Sequence, residues 1–130
     1  MKVAQETVAA VVSEASKKMS DPNYSASMVG GFVSDQPPAI QFMSAHDSDL
    51  GGAEAVVSAV FHCALIRECL HRTGKKTRTF SFDDLDFASQ GNPIAKLEKA
   101  QPAIADFIAS NIENKEAQKL IGLIALALAA

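Results

Sequence analysis

The sequence predicts an all-α protein, a compact helical bundle of about six helices. Three observations carry that prediction. Apolar residues recur at helical spacing along most of the chain, no window alternates polar and apolar residues for long enough to make a strand, and one helical unit occurs twice. Sliding the sequence by 65 places Gln36, Pro37 and Phe42 on Gln101, Pro102 and Phe107, and Val29, Phe32, Met43 and His46 on Ile94, Leu97, Ile108 and Asn111. Two pairs of helix-start residues coincide as well, Ser27 with Asn92 and Asp49 with Asn114. The expected architecture is therefore an internal pseudo-repeat, with half-repeats at roughly 27–72 and 92–130. Each half supplies a proline-kinked helix followed by an apolar central helix.

The first helix is expected over residues 2–19, where Val8, Val12, Ala15 and Met19 form one stripe, and Asp21-Pro22-Asn23 should end it. A second begins after Ser27 and carries Val29, Phe32, Gln36, Ala39 or Ile40, and Met43, interrupted by Pro37 and Pro38. From about Gly51 to Arg72 runs a third helix whose segment Ala53 to Ile66 holds one charged residue, Glu54. A helix apolar on nearly every face belongs in the centre of a fold. Arg72 in its last turn and Gly74 just beyond mark its end.

Ser81 is expected to cap a short helix over 82–89, with Asp84 at the third position completing a capping box and Phe80 stapling onto Leu85. A brief extended piece precedes it at Thr77 to Phe82. Asn92-Pro93 opens the second kinked helix, whose stripe Ile94, Leu97, Gln101, Ile104 and Ile108 runs through Pro102. Asn114 or Lys115 opens the terminal helix, which is apolar all round from Leu120 onward.

Size and composition narrow the function classes. At 130 residues with 48% apolar content, the chain suits a single domain spanning 1–130 with an ordinary core. The net charge of −3 disfavours nucleic acid, although residues 66–130 are less acidic than residues 1–65. The longest uncharged apolar run, Leu120 to Ala130, is about half of the ~20 residues needed to cross a bilayer, so no membrane span is expected. Residues 1–6 lack the progression of a signal peptide. Cys63 and Cys69 lie roughly 240° apart around one helix and cannot pair within it, which fits a reducing, cytoplasmic setting.

Few residues suggest chemistry. Gln36 and Gln101 are amides on apolar stripes before prolines that deprive the carbonyls of Val33 and Glu98 of helical donors, so each glutamine is expected to satisfy its own kink. His46, His62, Cys63, Cys69 and His71 are the borderline metal ligands. His62 and Cys69 stand about 10 Å apart along the axis, too far to share an ion, and no metal or cofactor is expected. His62 and Cys63 are neighbours that diverge by about 100° on a helix, which argues against a catalytic dyad. Gly30-Gly31, Gly51-Gly52 and Gly74-Lys75-Lys76-Thr77 lack phosphate-loop spacing. Arg67, Arg72, Lys75, Lys76 and Arg78 form a basic cluster compensated by the acids that follow.

The functional expectation is a non-enzymatic cytoplasmic helical protein mediating protein–protein interaction as a homo-oligomer, with Leu120, Leu123, Ile124 and Leu128 as the candidate interface. The alternative is a small-ligand or metal-sensing domain with a pocket between the kinked helices, near Gln36, His46, His62 and Gln101.

Overall fold

A computed structural model describes residues 2–130, and among them it is all-helical, with nine helices and no strand. Met1 lies outside the described residues. Helix α1 spans Gln5–Lys18, α2 Pro22–Asp35, α3 Pro37–Ala45, α4 Asp47–Leu50 and α5 Ala53–Arg72; then follow α6 Phe82–Ser89, α7 Pro93–Ala100, α8 Pro102–Asn111 and α9 Lys115–Ala129.

The count exceeds six because each Gln-Pro step ends one helix and starts another. A residue before proline is pushed out of the α region by the pyrrolidine ring. Gln36 accordingly sits at φ −130°, ψ 67°, and Gln101 at φ −141°, ψ 73°. Each amide nitrogen still closes the preceding helix, onto Phe32 and Leu97, and each carbonyl opens the next, accepting from Ala39 and Ala105. The expected kinked helices are thus α2 with α3 and α7 with α8. A further difference lies at the start of α2, which begins at Pro22 rather than after Ser27. Asp21 caps it, accepting from the Asn23 amide at 2.9 Å, so the residues expected to stop α1 also launch its successor.

Other signals act as written. Ser81 and Asp84 form a reciprocal capping box on α6. Asn92 and Asn114 cap α7 and α9 by accepting from Ala95 and Ala117, both at 3.1 Å. At the end of α5, Gly74 adopts φ 98°, and the amides of Gly74 and Lys75 reach back to the carbonyls of His71 and Leu70, a Schellman closure that only glycine enters without strain.

α5 and α9 lie against each other in the middle. Helices α1 to α4 gather on α5, and α6 to α8 gather on α9, with α1·α8 and α4·α9 contacts closing the seam. Val60, Cys63, Ala64, Ile66 and Leu70 of α5 meet the core from one side, and Leu120, Ile121, Ile124, Ala125 and Leu128 of α9 from the other. Each fully buried Leu or Ile contributes about 1.5–3 kcal/mol relative to exposure, which explains why the least polar stretches take the centre. No helix among the described residues is long and apolar enough to cross a membrane.

Candidate functional site

The two glutamines of the Gln-Pro steps are the only buried polar side chains among the described residues, 1% exposed at Gln36 and 5% at Gln101. The oxygen of each reaches a distant segment rather than its own kink. The Gln36 side chain crosses to the extended segment before α6, where its Nε2 donates to the Arg78 carbonyl at 2.8 Å and its Oε1 accepts from the Phe80 amide at 2.9 Å. Thr79 reinforces this clasp by donating its hydroxyl to the Asp35 carbonyl at 2.9 Å. Gln101 accepts from the Val3 amide at 2.9 Å, holding the segment before α1. An extended segment has no helical partners for its amides and carbonyls, and a glutamine offers one donor and one acceptor side by side. Gln36 is thus occupied by backbone at both ends of its amide, and Gln101 by backbone at its oxygen.

The four residues expected to surround one pocket therefore do not share one. His62 lines an open groove of about 340 Å³ with Leu50, Ser58, Asn111 and Ile121, and its Nδ1 lies 2.7 Å from the Ser58 carbonyl. Gln36 instead borders a separate polar cleft of about 410 Å³ with Asp35, His71 and Thr77. His46 sits at the C-terminus of α3, its ring edge-on to Phe42 at 5.1 Å and its Nδ1 3.3 Å from the Asp49 carboxylate. Glu116, at the start of α9, reaches the same place, and no local pattern in the sequence signals it.

The cysteines are sealed. Burial pushes the Cys63 thiol far above the ordinary range and the Cys69 thiol up to about 11, so neither forms a thiolate near neutrality. Cys63 is fully enclosed and both are free of disulfides.

Positive charges expected to cluster are instead dispersed among acids. Arg67 stacks over Phe32 and pairs with Asp35 at 2.6 Å, Arg72 pairs with Glu14 and Glu68, and Arg78 grips both oxygens of Asp84 at 3.1 and 3.2 Å. Only Asp84 comes from the acidic run after the cluster; the other partners lie on α1, α2 and α5.

Leu120, Leu123, Ile124 and Leu128 are buried by the chain itself, because α9 packs against α4 to α8 and turns only other positions, Lys115 and Lys119 among them, to solvent. The large apolar side chains left in solvent are elsewhere: Met19 after α1 and Val57 on α5 stand singly, and two phenylalanines share one helix. Phe87 is 73% exposed and Phe82 47%, both on α6. At about 100° per residue, Phe82, Asp86, Asp83 and Phe87 occupy one arc of roughly 140°, opposite the buried Leu85 and Ala88.

An all-helical bundle with its polar interior committed to clasping its own backbone is the class these features define. The chain matches no protein-family model, no curated protein and no solved structure.

Proposed function

We propose that the protein is a non-enzymatic helical interaction protein that self-associates, and that the outer arc of α6 is where it does so. The observation carrying this reading is the pair Phe82 and Phe87, exposed on one short helix while most of the apolar inventory is packed inside. Burying a phenylalanine side chain gains about 1.5–3 kcal/mol, so two of them favour weak, concentration-dependent association over a permanent dimer. Asp83 and Asp86 between the rings discourage promiscuous apolar contact and favour a partner surface bearing positive charge, such as the exposed Lys76 of a second copy. The closed environment of Cys63 beside His62 supports a binding role over a nucleophilic one, and two free thiols suit a reducing compartment such as the cytoplasm. Sedimentation equilibrium over a wide concentration range tests the reading. A mass that rises with concentration, and stays monomeric in Phe87→Ser and in Phe82→Ser, is expected; a monomer at every concentration refutes it.

We further infer that the chain arose by duplication of one helical unit. Three features support this: the matched backbone angles of Gln36 and Gln101, the proline after each, and the reciprocal pattern of their clasps. Gln36 of the first half holds the segment leading into α6, and Gln101 of the second half holds the segment leading into α1. Each half thus fastens the entrance of the other, as a pair of units related by an approximate dyad would.

A further inference from the structure

We propose that His46, Asp49 and Glu116 form a binding site for a divalent transition-metal ion, Zn²⁺ foremost, at the junction of α3, α4 and α9. One ligand atom from each of the three lies within 4.8 Å of the other two, although the residues come from two segments far apart in sequence. The fit to a metal is quantitative at one edge. Tetrahedral Zn²⁺ with bonds of about 2.0–2.2 Å places neighbouring ligand atoms about 3.4 Å apart. His46 Nδ1 and Asp49 Oδ2, in hydrogen-bond contact at 3.3 Å, match that spacing, and Glu116, within 4.8 Å of both, need only close on them as a metal replaces the hydrogen bond.

The surroundings hold the ligands in place. Phe42 packs edge-on against the His46 ring at 5.1 Å and restricts its rotation. Asn114, the cap of α9, donates its side-chain amide to the Asp49 carbonyl at 3.3 Å, tying α4 to the first turn of α9 where Glu116 lies. Neither carboxylate forms an ion pair with a lysine or arginine among the described residues, and the one charged partner of Asp49 is the His46 imidazole when protonated. A cation bound there takes both carboxylates as ligands and bolts α4 to α9.

One imidazole nitrogen and two carboxylate oxygens is a donor set for borderline ions of the zinc and cobalt kind, with a fourth position open to water. Ca²⁺ takes six to eight oxygen ligands, and Mg²⁺ keeps most of its water, so both bind poorly to a site with a nitrogen ligand and few oxygens. This site shares no residue with the α6 arc, and its fate in experiment is independent of the self-association reading.

The test is Co²⁺ titration of the full chain, followed by visible absorption and displacement with Zn²⁺, alongside thermal melts with and without Zn²⁺. A saturable single site is expected, with Mg²⁺ unable to displace Co²⁺ and Zn²⁺ raising the melting temperature. His46→Ala and Glu116→Gln should each weaken binding about tenfold or more, the loss that removal of a mere supporting hydrogen bond already causes at metal sites, and His62→Ala should leave it intact. Glu116→Gln, a near-isosteric change at a partly exposed position, keeps the test decisive if His46→Ala folds poorly. Absence of saturable binding, or binding that survives both ligand replacements, overturns the proposal, as does equal loss in His62→Ala.

Discussion

Replacing Gln36 by alanine removes the acceptor of the Phe80 amide and the donor to the Arg78 carbonyl together. The two losses are unequal. Phe80 is 1% exposed, so its amide stays buried without a partner at a cost of about 1–3 kcal/mol. Arg78 is an exposed residue whose carbonyl can turn to water, and there only the net value of the bond is lost, about 0.5–1.5 kcal/mol. Together these give a destabilisation of roughly 1.5–4.5 kcal/mol. At about 4 °C per kcal/mol for a chain of this size, the melting temperature should fall by about 6–18 °C. Gln36→Glu separates the two bonds. It keeps an acceptor for Phe80 but opposes the Arg78 carbonyl with a second oxygen unless the carboxyl is protonated. The folded state therefore favours the protonated form and raises its pKa above the ~4.3 of a free glutamate, so the deficit of this variant is small near pH 4 and grows as pH rises toward neutrality. Circular-dichroism melts at pH 4 and pH 7 measure both effects. A Gln36→Ala protein melting within about 2 °C of wild type, or a Gln36→Glu deficit independent of pH, refutes the clasp as a stabilising element.

Two further outcomes follow from burial and backbone geometry. With its thiol raised to about 11, Cys69 is ionised to only about one part in a thousand at pH 8, against about a quarter for an ordinary thiol, and Cys63 less still; an aromatic disulfide reagent should modify both rapidly in denaturant and hardly at all in the folded protein. Gly30 lies inside α2 with open space where an added methyl group would stand, so Gly30→Ala should stabilise by about 0.5–1 kcal/mol, whereas Gly51, held at φ 109°, should lose about 1–2 kcal/mol as Gly51→Ala; urea midpoints read both.

Local chemistry was legible in the sequence wherever it acts within a few residues. The Ser81–Asp84 box, the Asn92-Pro93 start, the cap at Asn114 and the Gly74 closure all rest on interactions between near neighbours, and all form. Asp21-Pro22 shows the limit of such reading, because the same pair can stop one helix or start another, and here Pro22 takes the first position of α2. The role of the two glutamines could be read only halfway. Their burial follows from the stripes they interrupt, but their partners are backbone amides 44 and 98 residues away, and a backbone amide leaves no mark in a sequence. Likewise His46 and Asp49 are near neighbours, while Glu116 joins them only because α9 runs beside α4. The apolar tail supported two readings at once, since a helix greasy on all sides can be a sticky end or an innermost rod; its central placement agrees with the buried α9, while Leu120, Leu123, Ile124 and Leu128 pack inward.

The reciprocal fastening has a consequence for how the chain comes to rest during synthesis. Val3 is made 98 residues before Gln101, so the segment leading into α1 waits for its latch while the polypeptide between them emerges. Until then α1 can rest on α5 but its entrance stays loose, and a translation product stopped before Gln101 should keep that entrance open to proteolysis. The protein thereby carries a built-in check on its own progress: its first helix locks only when the step into its eighth has arrived.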